Sequence, residues 1–100
     1  MPLPSSVKVG LLTYEIVQTE DSDQHLRDAD LAGRCDVENL KIYVSTTMSP
    51  IVQAETLCHE ILHAAFRATG LPETEIGPHE EIIVLSLSHV LWPLVAGAHV

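Results

Sequence analysis

A chain of 100 residues, 46 % hydrophobic with a mean hydropathy of +0.20, has room for one modest core and excludes a disordered polypeptide. Its net charge of −9 repels a nucleic-acid backbone and an anionic membrane, so neither is expected as a partner. A single domain over residues 1–100 is the expectation.

Residues 1–6 form a leader with two prolines. Val7-Lys8-Val9 alternates, and Leu11 to Val17 is rich in β-branched and aromatic residues, so one or two strands bent at Gly10 are predicted. Residues 19–32 are acidic and lack a period. They read as an exposed loop with room for a helical turn, and their carboxylates as a solvated face. The Gly and terminal Glu of a calcium loop are missing.

Gly33 to Val37 and Leu40 to Ser45 predict a hairpin. Its turn is placed at Glu38-Asn39, where Asn tolerates positive φ. Ile42 and Val44 then share one face, with Lys41 and Tyr43 on the other. Ser49-Pro50 opens a helix, Ser as cap and Pro at the first helical position. The helix runs to about Thr69 and stops at Gly70, with Pro72 beyond. After a connector closed by Pro78, a second apolar helix covers about 79–95, with Pro93 bending or ending it. His99 in the tail is expected to have no role. A small antiparallel sheet followed by two helices is an α+β fold, with the first helix (about 50–69) laid on the sheet.

That helix carries His59-Glu60-x-x-His63. Residues four apart lie one turn above each other on one helical face, so both imidazoles can grip one metal ion, Zn²⁺ being the usual occupant. Glu60 points about 100° round the helix. It can reach a water held by the ion, whose pKa falls to about 7, and act as general base without being a ligand. Leu57, Ile61, Leu62, Ala64, Ala65 and Phe66 surround the motif with apolar side chains. A buried His pair and Glu without a metal would be costly to desolvate.

Two His do not hold a catalytic zinc; a third protein ligand is needed. The candidates are His79, Glu80, Glu81, His89 and the acidic loop, with Glu73 and Glu75 in the connector. Glu80 shares a helical stripe with Val84, Leu87 and Leu91 and leans toward the core, while Glu81 lies at the margin of that stripe. The helix dipole alone favours carboxylates in a first turn, without a metal. Cys58, inside the apolar helix, is expected to be a small buried residue, and Cys35 a strand residue, with a metal ligand or a partner for Cys58 as the alternatives.

Thr56-Leu57-Cys58-His59-Glu60-Ile61-Leu62-His63-Ala64 resembles a signature of small zinc-peptidase-like proteins of phages and prophages, minimal relatives of the ImmA/IrrE metallopeptidases. Leu12 to Val17, Gly33 to Asp36, Lys41 to Val44, and Glu80-Glu81 leading into Leu87 to Leu91 are similar as well. The resemblance covers roughly residues 7–95. The chain departs from the pattern at Val90, where the family has Gly, at Pro93, and in the acidic loop. The resemblance implies His59 and His63 as ligands, Glu60 as catalytic base and Glu81 as third ligand, with Glu80 as the alternative.

The expectation is a zinc metallopeptidase of minimal size, acting on a peptide or protein substrate that can add along an exposed sheet edge. The alternative is a regulatory or binding protein that keeps the metal for stability. The start, Met-Pro-Leu-Pro-Ser-Ser-Val-Lys, lacks the features of a signal peptide. Ser86, Ser88, His89 and Pro93 interrupt the nearest approach to a membrane span, over 82–100. A soluble cytoplasmic protein is expected, in the host cell if phage-encoded.

Overall fold

The computed structural model describes residues 3–20, 26 and 32–95. Among the described residues four strands precede two helices: β1 (Ser6–Val9), β2 (Leu12–Thr19), β3 (Gly33–Asp36), β4 (Lys41–Ser45), α1 (Pro50–Thr69) and α2 (Glu80–Val95). Two short 3-10 turns, Leu71–Glu73 and Gly77–His79, join the helices. The α+β class is the one observed. Among the described residues no helix is long and apolar enough to cross a membrane.

The first apolar stretch is a hairpin. Gly10 takes φ +62, and the chain reverses in two residues so that Val9 stands opposite Leu12. Of the acidic segment, residues 21–25 and 27–31 lie outside the described residues. Leu26 within it is fully buried.

The second hairpin pairs Asp36 with Lys41 across a four-residue loop. Here the turn chemistry differs from expectation. Positive φ falls on Leu40 (φ 55), not on Asn39. Asn39 is instead tied to Asp36: its N–H donates to Oδ1 at 3.1 Å and its side-chain amide to Oδ2 at 2.8 Å. The reversal into β4 is then completed at Leu40, whose side chain packs against the core.

The sheet order is β1-β2-β4-β3, with β2 and β4 parallel, so the sheet is mixed and not wholly antiparallel as expected. Composition explains the placing. Ile42, Tyr43 and Val44 are all buried, which suits β4 to an inner position between two neighbours. Short β3, with its Gly, Arg and Asp, takes the edge.

Helix α1 begins and ends as its sequence dictates. Ser49 Oγ accepts from the Val52 N–H at 3.3 Å, Pro50 follows, and Gly70 closes the helix at φ +77. Leu57 and Ala64, two turns apart, meet Val9, Tyr14, Ile16, Ile42 and Val44 of the sheet in one core. Burying each of Ile42, Val44 and Leu57 contributes about 1.5–3 kcal/mol. Helix α2 buries Val84 and Ser88, one turn apart. It continues past Pro93 to Val95, so the proline does not end it. The one hydrogen bond lost there lies in a late turn and leaves the rest of the helix intact.

Gly33 decides how closely α1 approaches the edge strand. A Cβ there would collide with Thr56 Cγ2 and lie 3.0 Å from the Tyr43 carbonyl oxygen and 3.4 Å from Glu60 Cγ. Gly33→Ala is therefore expected to cost about 1–3 kcal/mol through overpacking. A denaturation midpoint that falls at constant slope would register this; an unmoved midpoint would refute the close fit.

Candidate metal centre

Helix α1 projects His59, Glu60 and His63 toward the gap between the edge strand and the start of α2. The turns after Gly70 reverse the chain: Thr74 Oγ1 donates to the Leu71 carbonyl at 2.7 Å, and the His79 N–H to that of Ile76 at 2.9 Å. Helix α2 then runs back antiparallel to α1. Glu81 meets His59 and His63, and His89, two turns on, meets Glu55 at 3.0 Å.

Among the described residues two of the candidate third ligands, Glu81 and Glu80, reach the His pair; residues 21–25 and 27–31 of the acidic loop lie outside them. His89 is engaged by Glu55, and His79, Glu73 and Glu75 are exposed outside the cluster. Glu81 places Oε1 3.0 Å from His59 Nε2 and Oε2 3.0 Å from His63 Nε2. Glu80 places Oε2 2.6 Å from His63 Nδ1. The helical phase is visible in exposure: the Glu80 side chain is 17 % exposed and that of Glu81 68 %. One carboxylate thus faces the paired nitrogens and the other orients a ring from behind.

The donor set fits a divalent cation. With its Nδ1–H donated to Glu80, His63 presents a lone pair at Nε2. That atom faces His59 Nε2 at 3.2 Å and Glu81 Oε2 at 3.0 Å. The rings meet edge to face, with centroids 4.8 Å apart. A neutral set has too few protons to satisfy acceptors converging from three sides, whereas a cation satisfies them together. Single ligand atoms of His59, His63 and Glu81 lie within 4.8 Å of one another. The two Nε2 atoms, 3.2 Å apart, are close to the edge of about 3.3 Å of a tetrahedron with arms of about 2.0–2.1 Å, and Glu81 meets each of them with a different oxygen at 3.0 Å. Burial also holds the His59 imidazole below its ordinary pKa against the pull of Glu81, which keeps it in the neutral form a metal requires.

Glu60 stands apart from this triad. Burial pushes its carboxyl up to about 7, and Glu81 adds to the rise. His63 and a hydrogen bond from the Cys35 backbone N–H act in the opposite sense. Cys35 lies in β3, as expected, with its thiol raised to about 11 by burial and by the neighbouring Glu60. Cys58 is buried in α1, also as expected. All of these groups except Cys58 border a cleft of about 420 Å³, whose lining also includes Gly33, Arg34, Val37 and Arg67.

The sequence reading missed the wall of this cleft. Nothing in the spacing says that β3 lies beside α1, that its backbone holds Glu60, or that Arg67 faces the same opening. Two signals were available: a glycine at the head of a strand, and a cation four residues after His63 on one helical face.

The two carboxylates have separable roles that substitution can test. Glu81→Gln removes a charged ligand and is expected to weaken zinc binding by more than Glu80→Gln. The latter loses the partner of a ligand ring, worth about 10–100-fold in affinity. Competition against a chromogenic chelator measures both; a larger loss for Glu80→Gln would reverse the assignment. No family model, curated protein or solved structure matches this chain.

Proposed function

We propose that the protein is a minimal zinc-dependent peptidase, with His59, His63 and Glu81 as metal ligands and Glu60 as general base. One observation carries this reading. Two imidazole nitrogens and a carboxylate converge in a cleft that also holds a separate, half-buried carboxyl whose pKa is raised to about 7. A zinc ion bound there would polarise the scissile carbonyl and acidify the attacking water.

The chain's own groups do the rest. Glu60 takes the proton of the attacking water and returns it to the leaving amine. Glu80 holds His63 in one tautomer, with Nε2 directed into the cleft. The Cys35 N–H fixes the Glu60 carboxylate against the strand. Among the described residues β3 is the last strand of the sheet, so an extended peptide can add along its outer side and lie over the His pair. The resemblance of the motif helix to small phage and prophage peptidases supports the same reading.

The test is cleavage of a mixed unstructured peptide pool by the purified protein. Cleavage should vanish with a chelator and return with about one equivalent of Zn²⁺ per chain. A zinc-loaded protein that leaves the pool intact would remove the peptidase. A second reading rests on the same triad, which ties α2 to α1 as a structural metal would. It describes a metal-stabilised binding protein, for which Glu60 has no evident use.

A further inference from the structure

The whole chain carries five lysines and arginines against 14 acidic residues, yet two of the five, Arg34 and Arg67, border the cleft. Arg34 has Asp36 close by on its own strand, near enough to lower that carboxyl's pKa. Arg67 forms no ion pair with any of the described residues. The adjoining loop carries two carboxylates, Asp36, which is held by Asn39, and Glu38, and neither forms an ion pair with Arg67. An exposed guanidinium without a carboxylate, in a protein of net charge −9, is a vacancy for an anionic group.

Its position is specific. Glu60, His63 and Arg67 lie at i, i+3 and i+7 on one side of α1. Arg67 is about 6 Å beyond His63 along the helix axis, at 1.5 Å per residue. An extended peptide advances about 3.3 Å per residue, so this distance corresponds to about two residues. The cleft also continues past Arg67 into a second hollow formed by the β3–β4 loop, lined by Asp36, Val37, Glu38 and Asn39. The opposite end differs in character. Beyond His59 and Glu60 the floor is a hollow of about 350 Å³ with Val52, Thr56 and Leu85. Of the two acids that line it, Glu60 is shared with the first cleft and Glu55 is paired with His89.

We infer that the cleft selects extended peptides bearing a carboxylate about two residues from the reacting bond, received by Arg67, with an apolar side chain toward Val52 and Leu85. The carboxylate can belong to an acidic side chain or to a peptide C-terminus, which share the same chemistry. This assignment of substrate class rests on the proposed peptidase reading, because that reading places a peptide along β3. Arg67 is then a specificity residue that binds substrate and takes no part in proton transfer.

The experiment measures equilibrium binding to the zinc-loaded Glu60→Gln protein by fluorescence anisotropy. The probes are labelled, C-terminally amidated hexapeptides of alanine and leucine in which one Glu is walked through the positions. Gln and Lys counterparts, and a Gln peptide with a free C-terminal carboxylate, complete the set. The expected result is binding at least about tenfold tighter for a Glu peptide or the free-acid peptide than for the amidated Gln peptide, as a charge-assisted contact warrants. Which of the two binds tighter identifies the source of the carboxylate. Arg67→Glu should abolish the preference and favour the Lys peptide, and Arg67→Lys should retain part of it. Equal affinities across the set, a preference that survives Arg67→Glu, or no binding by any peptide would each overturn the inference. Cleavage by the wild-type protein is scored separately. Selective binding without cleavage would remove the peptidase and leave the carboxylate site, and cleavage without selectivity would do the reverse.

Discussion

Glu60→Gln is expected to retain zinc and fold while losing turnover by about 10²–10⁴-fold, the usual worth of a general base. The substitution keeps the shape of the side chain and its acceptor for the Cys35 N–H, and removes the group that moves a proton. Glu60 is not among the three groups that converge for a metal, so the metal content should stay at its wild-type value. Stability should not suffer either. A carboxyl raised from its ordinary value to about 7 is destabilising to bury once ionised, and the penalty accumulates as pH rises from about 4.5 to about 7. An uncharged amide avoids it, so the metal-free variant should be at least as stable as the metal-free wild type at pH 8. Cleavage at wild-type rate by the variant would take Glu60 out of the mechanism.

Zinc should raise the melting temperature of the wild-type protein by about 15 °C or more at a thousandfold excess over its dissociation constant. That excess is worth about 4 kcal/mol, and a domain of this size shifts about 4–8 °C per kcal/mol. His59→Ala removes one of the two nitrogens that face each other at 3.2 Å and should reduce the zinc-induced shift to near zero. His63→Ala should do the same and also strand Glu80, whose carboxylate pairs with that ring. Thermal melts with and without zinc on both variants and their double variant measure the effect. A full shift in the double variant would place the metal elsewhere.

Much of this molecule was legible before folding because its signals are local. Ser49-Pro50 and Gly70 bound α1, since a cap, a fixed φ and a left-handed residue act within one turn. The helical phase of Glu80 and Glu81 separated a carboxylate that leans inward from one that reaches outward, and the structure gives each a different imidazole nitrogen. What was not legible is non-local. The parallel pairing of β2 with β4 joins residues 26 apart, such as Glu15 and Lys41, and no periodicity encodes which strand sits beside which. The same ignorance hid the placement of β3 beside α1, and with it the position of Arg67 at the cleft. The Leu40 turn was hidden for a different reason: Asn39 carries the composition of a left-handed residue, but Asp36 captures its side chain first.

The strand that walls the cleft is four residues long and, among the described residues, hydrogen-bonded to a single neighbouring strand. So short a strand, paired on one side, can lift from β4 at low cost while the rest of the fold stays closed. Each such opening carries the Cys35 amide away from Glu60 and widens the gap over the His pair. A peptide that bound along the outer side would give β3 a second neighbour and close that route. Hydrogen exchange at Arg34 and Cys35 thus becomes a gauge of occupancy: rapid in the empty cleft and slowed when a strand has been added.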